Sequence, residues 1–283
     1  MAVNEEGEIH GSIGGGIMEY KFVELAKSKL NEAALEASVH HQVHDKVAAK
    51  NQSGMICSGE QTLFLYTVQF KDRGAIEALV NSLEANKHGA LGLTSSGIHF
   101  SNEVPSPDYS LGIMPDGRFS YLEKTGYKNY LNIIGAGHCA LALARLMSSM
   151  DFYIRVFDDR PNLDPLTHNE YVHETTLLKD YEDLTTLVPA GKNCFTVIMT
   201  VGYRTDEIAL KSLLRKDFTY IGILGSKSKI DKLMKNLVEG GISTELLKKV
   251  HAPIGVPIKS QTPEEIAVSI AAEIIREKNR DLG

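Results

Sequence analysis

The sequence predicts an α/β protein of two domains: a C-terminal parallel sheet with helices on both faces and a smaller N-terminal α/β domain. Three observations predict it. The chain has 283 residues, more than a single compact core usually takes. From Tyr130 onward, strand-length apolar runs alternate strictly with helix-length amphipathic ones, the pattern of a parallel sheet. Between about Pro105 and Lys128 that order is broken by Pro105, Pro107 and the turn Met114-Pro115-Asp116-Gly117, a connector carrying a hairpin. The boundary is placed there, giving domains 1–125 and 126–283.

The first domain opens with a short strand around Glu8 to Ile13, then Gly14-Gly15-Gly16, then a helical pattern from Ile17 through about Leu35. Met55-Ile56-Cys57 and Thr62 to Val68 read as strands joined by the turn Cys57-Ser58-Gly59-Glu60, because β-formers flank turn residues. A helix from about Ala75 to Ala85 and a strand from Ala90 to Thr94 complete the unit. In the second domain, strands are expected at Leu131 to Ile134, Tyr153 to Phe157, Phe195 to Met199 and Tyr220 to Leu224. Helices are expected over about His138 to Met150, Thr205 to Leu214, Lys229 to Val238 and Pro263 to Lys278. The last is the best marked. Thr262 is its N-cap, Pro263 takes the first helical position, Glu265 closes a capping box, and Arg276, Lys278 and Arg280 sit near the negative end of the dipole.

Composition narrows the function classes. The apolar fraction of 43% and charged fraction of 23% are ordinary for a globular protein. The longest apolar candidate, Tyr130 to Met150, is interrupted by Asn132, His138 and Arg145, so no membrane span is expected. The N-terminus is acidic and polar, unlike a secretory signal. Cys57, Cys139 and Cys194 lie far apart with no C-x-x-C pair, so neither a disulfide framework nor a thiolate zinc site is suggested, and a cytoplasmic setting is expected. A net charge of −6 disfavours nucleic acid, against which only Lys227, Lys229, Lys232 and Lys235 form a basic cluster.

The chemistry is expected at three glycine turns. In Gly135-Ala136-Gly137-His138-Cys139-Ala140, Gly135 permits the tight turn, Gly137 lets backbone approach a pyrophosphate, and Ala140 replaces the third glycine of a Rossmann-type dinucleotide fingerprint. Asp158 follows 23 residues after Gly135, close to the roughly 20 expected of the acid that binds a ribose hydroxyl. The competing reading is a packing turn with Asp158 as a turn residue. Arg160 leaves the choice among dinucleotides open. His138, in the first helical turn, either hydrogen-bonds a ligand or is simply solvated. For Cys139, packing is favoured over a lowered thiol pKa. At the second turn, Gly225, Ser226 and Lys227 form an anion site after a strand, or only a solvated basic helix start. Met199 to Arg204 ends another strand, and Tyr203 or Asp206 is within reach of the same crevice. At the third turn, Gly14, Gly15 and Gly16 form an anion nest or a flexible turn. His40, His41 and His44 are placed on one helical stretch, with metal binding the less favoured outcome. No Tyr-x-x-x-Lys pair, G-x-S-x-G elbow or Walker A loop occurs.

Several blocks, in order, resemble the xanthine dehydrogenase accessory factor (XdhC/CoxI) family. They are Ile134-Gly135-Ala136-Gly137-His138 with Ala142-Leu143-Ala144-Arg145; Val156-Phe157-Asp158-Asp159-Arg160-Pro161; Tyr220-Ile221-Gly222-Ile223-Leu224-Gly225-Ser226-Lys227; His251-Ala252-Pro253-Ile254-Gly255; and Thr262 through Ser269. Gly11-Ser12-Ile13-Gly14-Gly15-Gly16 with Glu19, and the Cys57-Ser58-Gly59 turn, resemble its N-terminal block. The resemblance covers nearly the whole chain. It implies a cytoplasmic maturation factor that binds molybdenum cofactor (molybdopterin), assists its sulfuration with a cysteine desulfurase, and delivers it to a molybdenum hydroxylase such as xanthine dehydrogenase. It further implies that Gly14, Gly15, Gly16 and Cys57 meet the cofactor or its sulfur chemistry, while the Gly135 turn holds the phosphate of a pterin or nucleotide.

Two departures stand out. The family's usual further strand and Ser-Ala-Pro-Arg-like loop before the segment matching Val3 are expected to be missing. The histidines that members often carry near Met199-Thr200 are replaced here by Val201 and Tyr203. Two other readings remain: an NAD(P)-dependent oxidoreductase, lacking an evident proton-transfer pair, and a nucleotide-sensing regulatory scaffold. Oligomeric state is not legible, and a homodimer is compatible with the sequence.

Overall fold

A computed structural model describes residues 1–32, 35–44, 59–161 and 170–280. The chain divides into two units, Met1–Gly126 and Tyr127–Gly283.

In the first unit, β1 (Ala2–Val3) pairs antiparallel with β2 (Ile9–His10), and α1 (Gly16–Asn31) follows. β3 (Ser38–Val43) and β4 (Glu60–Leu65) form a second antiparallel pair. After α2 (Arg73–Glu84), the strands β5 (Gly89–Thr94), β6 (Gly97–Ser101), β7 (Tyr109–Ile113) and β8 (Phe119–Thr125) form an antiparallel sheet in the order β6-β5-β8-β7. The buried carboxylate of Asp72 joins three segments, accepting from the Tyr66 hydroxyl at 2.7 Å, the Gln69 amide at 2.8 Å and the Ile98 amide at 3.0 Å. Burial opposes the charge, but these donors hold the Asp72 carboxyl below its usual value. Burial and the Asp72 contact push the Tyr66 hydroxyl up to about 12.

The expected hairpin joins β7 to β8, with the Met114 amide donating to the Arg118 carbonyl at 2.8 Å. Other expectations need correction. His40 and His41 lie on β3 rather than a helix. Residues 40 and 41 therefore project to opposite faces: His40 packs edge-on against Phe22, centroids 5.2 Å apart, while His41 faces Glu60 at 3.4 Å. Pairing with β4, Val39 opposite Phe64, outweighs the weak local preference. The strand expected over Glu8 to Ile13 contracts to β2, because the residues after it turn inward onto Glu19. The strand expected at Met55 to Cys57 lies outside the described residues.

In the second unit, β9 (Asn129–Ile134), α3 (His138–Ser148) and β10 (Phe152–Asp158) are followed by β11 (Glu174–Leu177) and the short helix α4 (Leu184–Leu187). β12 (Gly191–Ile198), α5 (Tyr203–Leu213), β13 (Phe218–Ile223), α6 (Lys227–Glu239), α7 (Thr244–Leu247), β14 (Val250–His251) and α8 (Pro263–Lys278) complete it. The six strands are all parallel, ordered β11-β10-β9-β12-β13-β14. Helices cover both faces, as predicted, so alternate strand residues enter different cores. Leu131, Ile133, Ile154 and Val197 meet α3 and α8 through Leu143, Met147, Ile270 and Ile274. Ile134, Phe157, Ile198 and Ile223 meet α5 and α6 through Leu210, Leu213, Ile230 and Leu233. The α8 start is as read: Thr262 Oγ1 accepts from the Glu265 amide at 3.2 Å, and the Glu265 carboxylate accepts from the Gln261 amide at 2.6 Å. Among the described residues no helix is long and apolar enough to cross a membrane.

Leu143, a fully buried residue of α3, sets a test of this packing. Leu143→Ala is expected to cost about 2–5 kcal/mol, and Thr262→Ala about 1 kcal/mol, each read as a lowered urea midpoint for the second unit's transition.

Candidate functional site

From β9 the chain winds outward through β10 and β11, then returns to β12 and winds the other way through β13 and β14. The connections after β9 and β12 therefore diverge, leaving a crevice at the carboxyl ends of these strands, where open parallel sheets bind ligands. The strand ends are stitched together. The Gly135 amide donates to the Phe157 carbonyl at 2.7 Å, Met199 to Ile134 at 2.8 Å, and Leu224 to Ile198 at 2.8 Å. The turns at Gly135, Thr200 and Gly225 consequently lie side by side.

Only glycine fits at position 135. Its φ is +105°, and a Cβ there would stand 2.5 Å from the Met199 carbonyl oxygen. Gly137 differs, since nothing lies within 4 Å of its Cβ position. It caps α3 without any side-chain hydrogen bond, so no side chain answers the first-turn N–H groups or the positive end of the dipole. His138 is exposed there, at one end of a cleft of about 480 Å³ between α3 and α8 that also meets Arg145, Tyr171 and Glu264. Cys139 packs against the core below, and burial pushes its thiol up, away from thiolate character.

Asp158 holds this turn from behind. Its Oδ2 accepts from the Ala136 amide at 2.7 Å and Arg160 Nη2 at 2.8 Å; its Oδ1 accepts from the Arg160 amide at 2.9 Å and Arg160 Nε at 2.8 Å. Its side chain is 3% exposed, that of Arg160 38%. Burial works against the charge, but the Arg160 guanidinium and the two amides hold the carboxyl below its usual range.

Across the switch point, Asp206 is fully buried. Its Oδ1 accepts from the Thr200 hydroxyl at 2.7 Å and the Thr200 amide at 3.1 Å, and its Oδ2 meets the Lys229 ammonium. Sequence reading placed Asp206 near the crevice but not this Thr200-Asp206-Lys229 network, whose members become neighbours only through the sheet. At the start of α6, Ser226 caps by accepting from the Lys229 amide at 3.4 Å. Ser226 and Lys227 are exposed beside Gly225.

The third glycine turn belongs to the first unit. Gly14, Gly15 and Gly16 have φ of +120°, +73° and +68°. The Glu19 carboxylate closes the loop: Oε2 accepts from the Ser12 hydroxyl at 2.6 Å, the Ile13 amide at 2.8 Å and the Gly15 amide at 3.1 Å. The Ser12 contact first, then the two amides, keep the Glu19 carboxyl below its ordinary value. Cys57 lies outside the described residues.

Comparison with known proteins places these features. Residues 131–274, just over half of the chain, match the XdhC Rossmann domain. The chain belongs to the XdhC family. An uncharacterized protein, YqeB, of Escherichia coli (strain K12) is 32% identical over 167 residues, covering 58% of this chain and 30% of YqeB. A probable xanthine dehydrogenase subunit of Bacillus subtilis (strain 168) is 27% identical over 161 residues, covering 56% of this chain and 46% of that protein. The matches thus span less than half the length of either relative. A crystal structure described as a xanthine dehydrogenase from Bacillus halodurans shares 25% identity at a TM-score of 0.72, over 98% of this chain and 85% of that one.

In this XdhC-family chain, Gly135→Ala is expected to lower the melting temperature and to displace Met199, visible as shifted amide resonances at the ends of β9 and β12. The Asp158 contacts set a pH dependence. Because the folded-state pKa is depressed, their stabilisation is fully present above the unfolded value of roughly 3.9 and is lost as pH falls through the folded value. Asp158→Asn should cost roughly 1.5–3 kcal/mol at pH 7. Equilibrium unfolding at successive pH values should show the gap between the two proteins closing below about pH 4.

Proposed function

We propose that this chain is an accessory factor for a molybdenum hydroxylase of the xanthine dehydrogenase type, and that its switch-point crevice receives the phosphate of molybdopterin. The observation that carries this is the Gly137 turn, where the helix start has no side-chain cap and nothing stands within 4 Å of the Gly137 Cβ position. Relatives named for xanthine dehydrogenase support the choice of client. The residues present suit the group: amides of the first α3 turn for the phosphate, with His138, Gly225, Ser226 and Lys227 supplying further donors at the rim. Asp158 braces the turn rather than touching the phosphate. When bound, the cofactor supplies the molybdenum and sulfur chemistry of the client; the chain's own residues bind and orient it. Sulfuration then draws on a cysteine desulfurase as sulfur donor, and insertion on the apoenzyme, in the cytoplasm. The Gly14-Gly15-Gly16 loop enters this reading as the holder of Glu19.

Anaerobic incubation of the full chain with purified molybdenum cofactor should give a stoichiometric complex after gel filtration, read by molybdenum content and pterin fluorescence. Gly137→Trp should lower retention at least tenfold while leaving the melting temperature nearly unchanged. A wild-type chain that retains no cofactor would falsify the proposal.

A further inference from the structure

The hydrogen bonds around Asp158 bear on which phosphate esters the crevice accepts. In a dinucleotide site of this topology, the acid at the end of the second strand accepts from the ribose hydroxyls. A carboxylate has about four lone-pair sites. Here all four are taken by the Ala136 amide, the Arg160 amide, Arg160 Nε and Arg160 Nη2. Two of those four come from one side chain, on an arginine more than a third exposed while the acid beneath it is sealed. We infer that Arg160 is a specificity lock: it consumes the acceptor that a ribose diol needs, so the crevice admits phosphate esters that present no such diol and rejects ribonucleotides such as NAD.

The physical basis is the asymmetry of hydrogen bonding. A ribose hydroxyl brought to Asp158 must either displace a charge-assisted guanidinium bond or go unpaired, and an unpaired buried polar group is the costlier outcome. The neighbouring Asp159 is a second carboxylate next in sequence. It is exposed, and its Oδ1 accepts from the Tyr181 hydroxyl at 3.2 Å. Removing the Arg160 side chain leaves two of the four bonds in place, those from the Ala136 amide and the backbone amide of position 160. The turn thus remains braced while two lone pairs open toward the crevice.

The inference rests on the reading that the Gly135 turn holds a phosphate, and its test is kept separate from cofactor retention. NAD is titrated calorimetrically into the full chain and into Arg160→Ala, Arg160→Lys and Arg160→Ala/Asp159→Asn, each at a temperature below the onset of its own cooperative melting transition. The expected result is weak or undetectable binding to wild type and a gain of at least tenfold in Arg160→Ala. The gain should persist in the double variant and be smaller in Arg160→Lys, whose single ammonium still occupies part of the carboxylate. Wild-type affinity equal to or greater than that of Arg160→Ala overturns the inference, as does absence of NAD binding to every variant. A gain abolished by Asp159→Asn also overturns it, by moving the acceptor to Asp159. Whether the phosphate reading itself survives is decided independently by molybdopterin retention.

Discussion

The second unit depends on how closely β9 and β12 approach where their connections part. With the Met199 carbonyl 2.5 Å from where a side chain at 135 would begin, the backbone must turn there with nothing projecting. The next amide, Ala136, is captured by Asp158. The turn is thus fixed from behind by a carboxylate and from the side by a strand, and Gly137 emerges from it facing open space. Such a turn is organised before any ligand arrives. A phosphate bound there need not order the loop, and that ordering cost is one of the main terms opposing association.

The two glycine loops show that the same residue type leads to different sites depending on the residues just beyond it. At the first, Glu19, on the first turns of α1, supplies the anion to the Ile13 and Gly15 amides, while the Gly14 amide donates to the Ser12 hydroxyl. The α3 turn has Leu141 at the corresponding distance beyond its N-cap Gly137, and it cannot answer an amide. A nest next to an acid closes on itself, whereas one succeeded by apolar residues stays open.

This contrast also explains what the sequence made legible. The start of α8 could be read residue by residue because Thr262, Pro263 and Glu265 act on one another within four positions. The β7 to β8 hairpin was equally local, announced by Pro115 and Gly117. β6, β11 and β14 went unread because they are short and owe their conformation to a neighbouring strand. His40 and His41 were misassigned for the same reason, β3 being defined by β4. At the site, the Gly135 turn and Asp158 were visible as a spacing, but the four bonds that occupy Asp158 were not, since they depend on how Arg160 folds back. Asp206 and Lys229, 23 residues apart, carry no local signal of their pairing.

The fate of these carboxylates resolves an apparent conflict in charge. The chain is acidic overall, with a net charge of −6, and two of its acids lie at the crevice that is to accept a phosphate. Asp158 is neutralised by Arg160 and Asp206 by Lys229, so neither presents free negative charge at the strand ends. Farther along the sheet, Glu273 is occupied in the same way, accepting from the Tyr220 hydroxyl and the Gly255 amide, each at 2.7 Å, with Arg276 at 3.1 Å. Buried pairs of this kind add little net stability, because desolvation offsets much of their attraction. Their effect is geometric. Each carboxylate gathers backbone amides from a turn at the end of a strand and fixes that turn, while its own charge is cancelled within the protein. What the crevice then offers a ligand is the residue of that cancellation: uncapped amides, helix starts with their positive ends outward, and the exposed ammonium of Lys227, a surface suited to an anion in spite of the protein's overall charge.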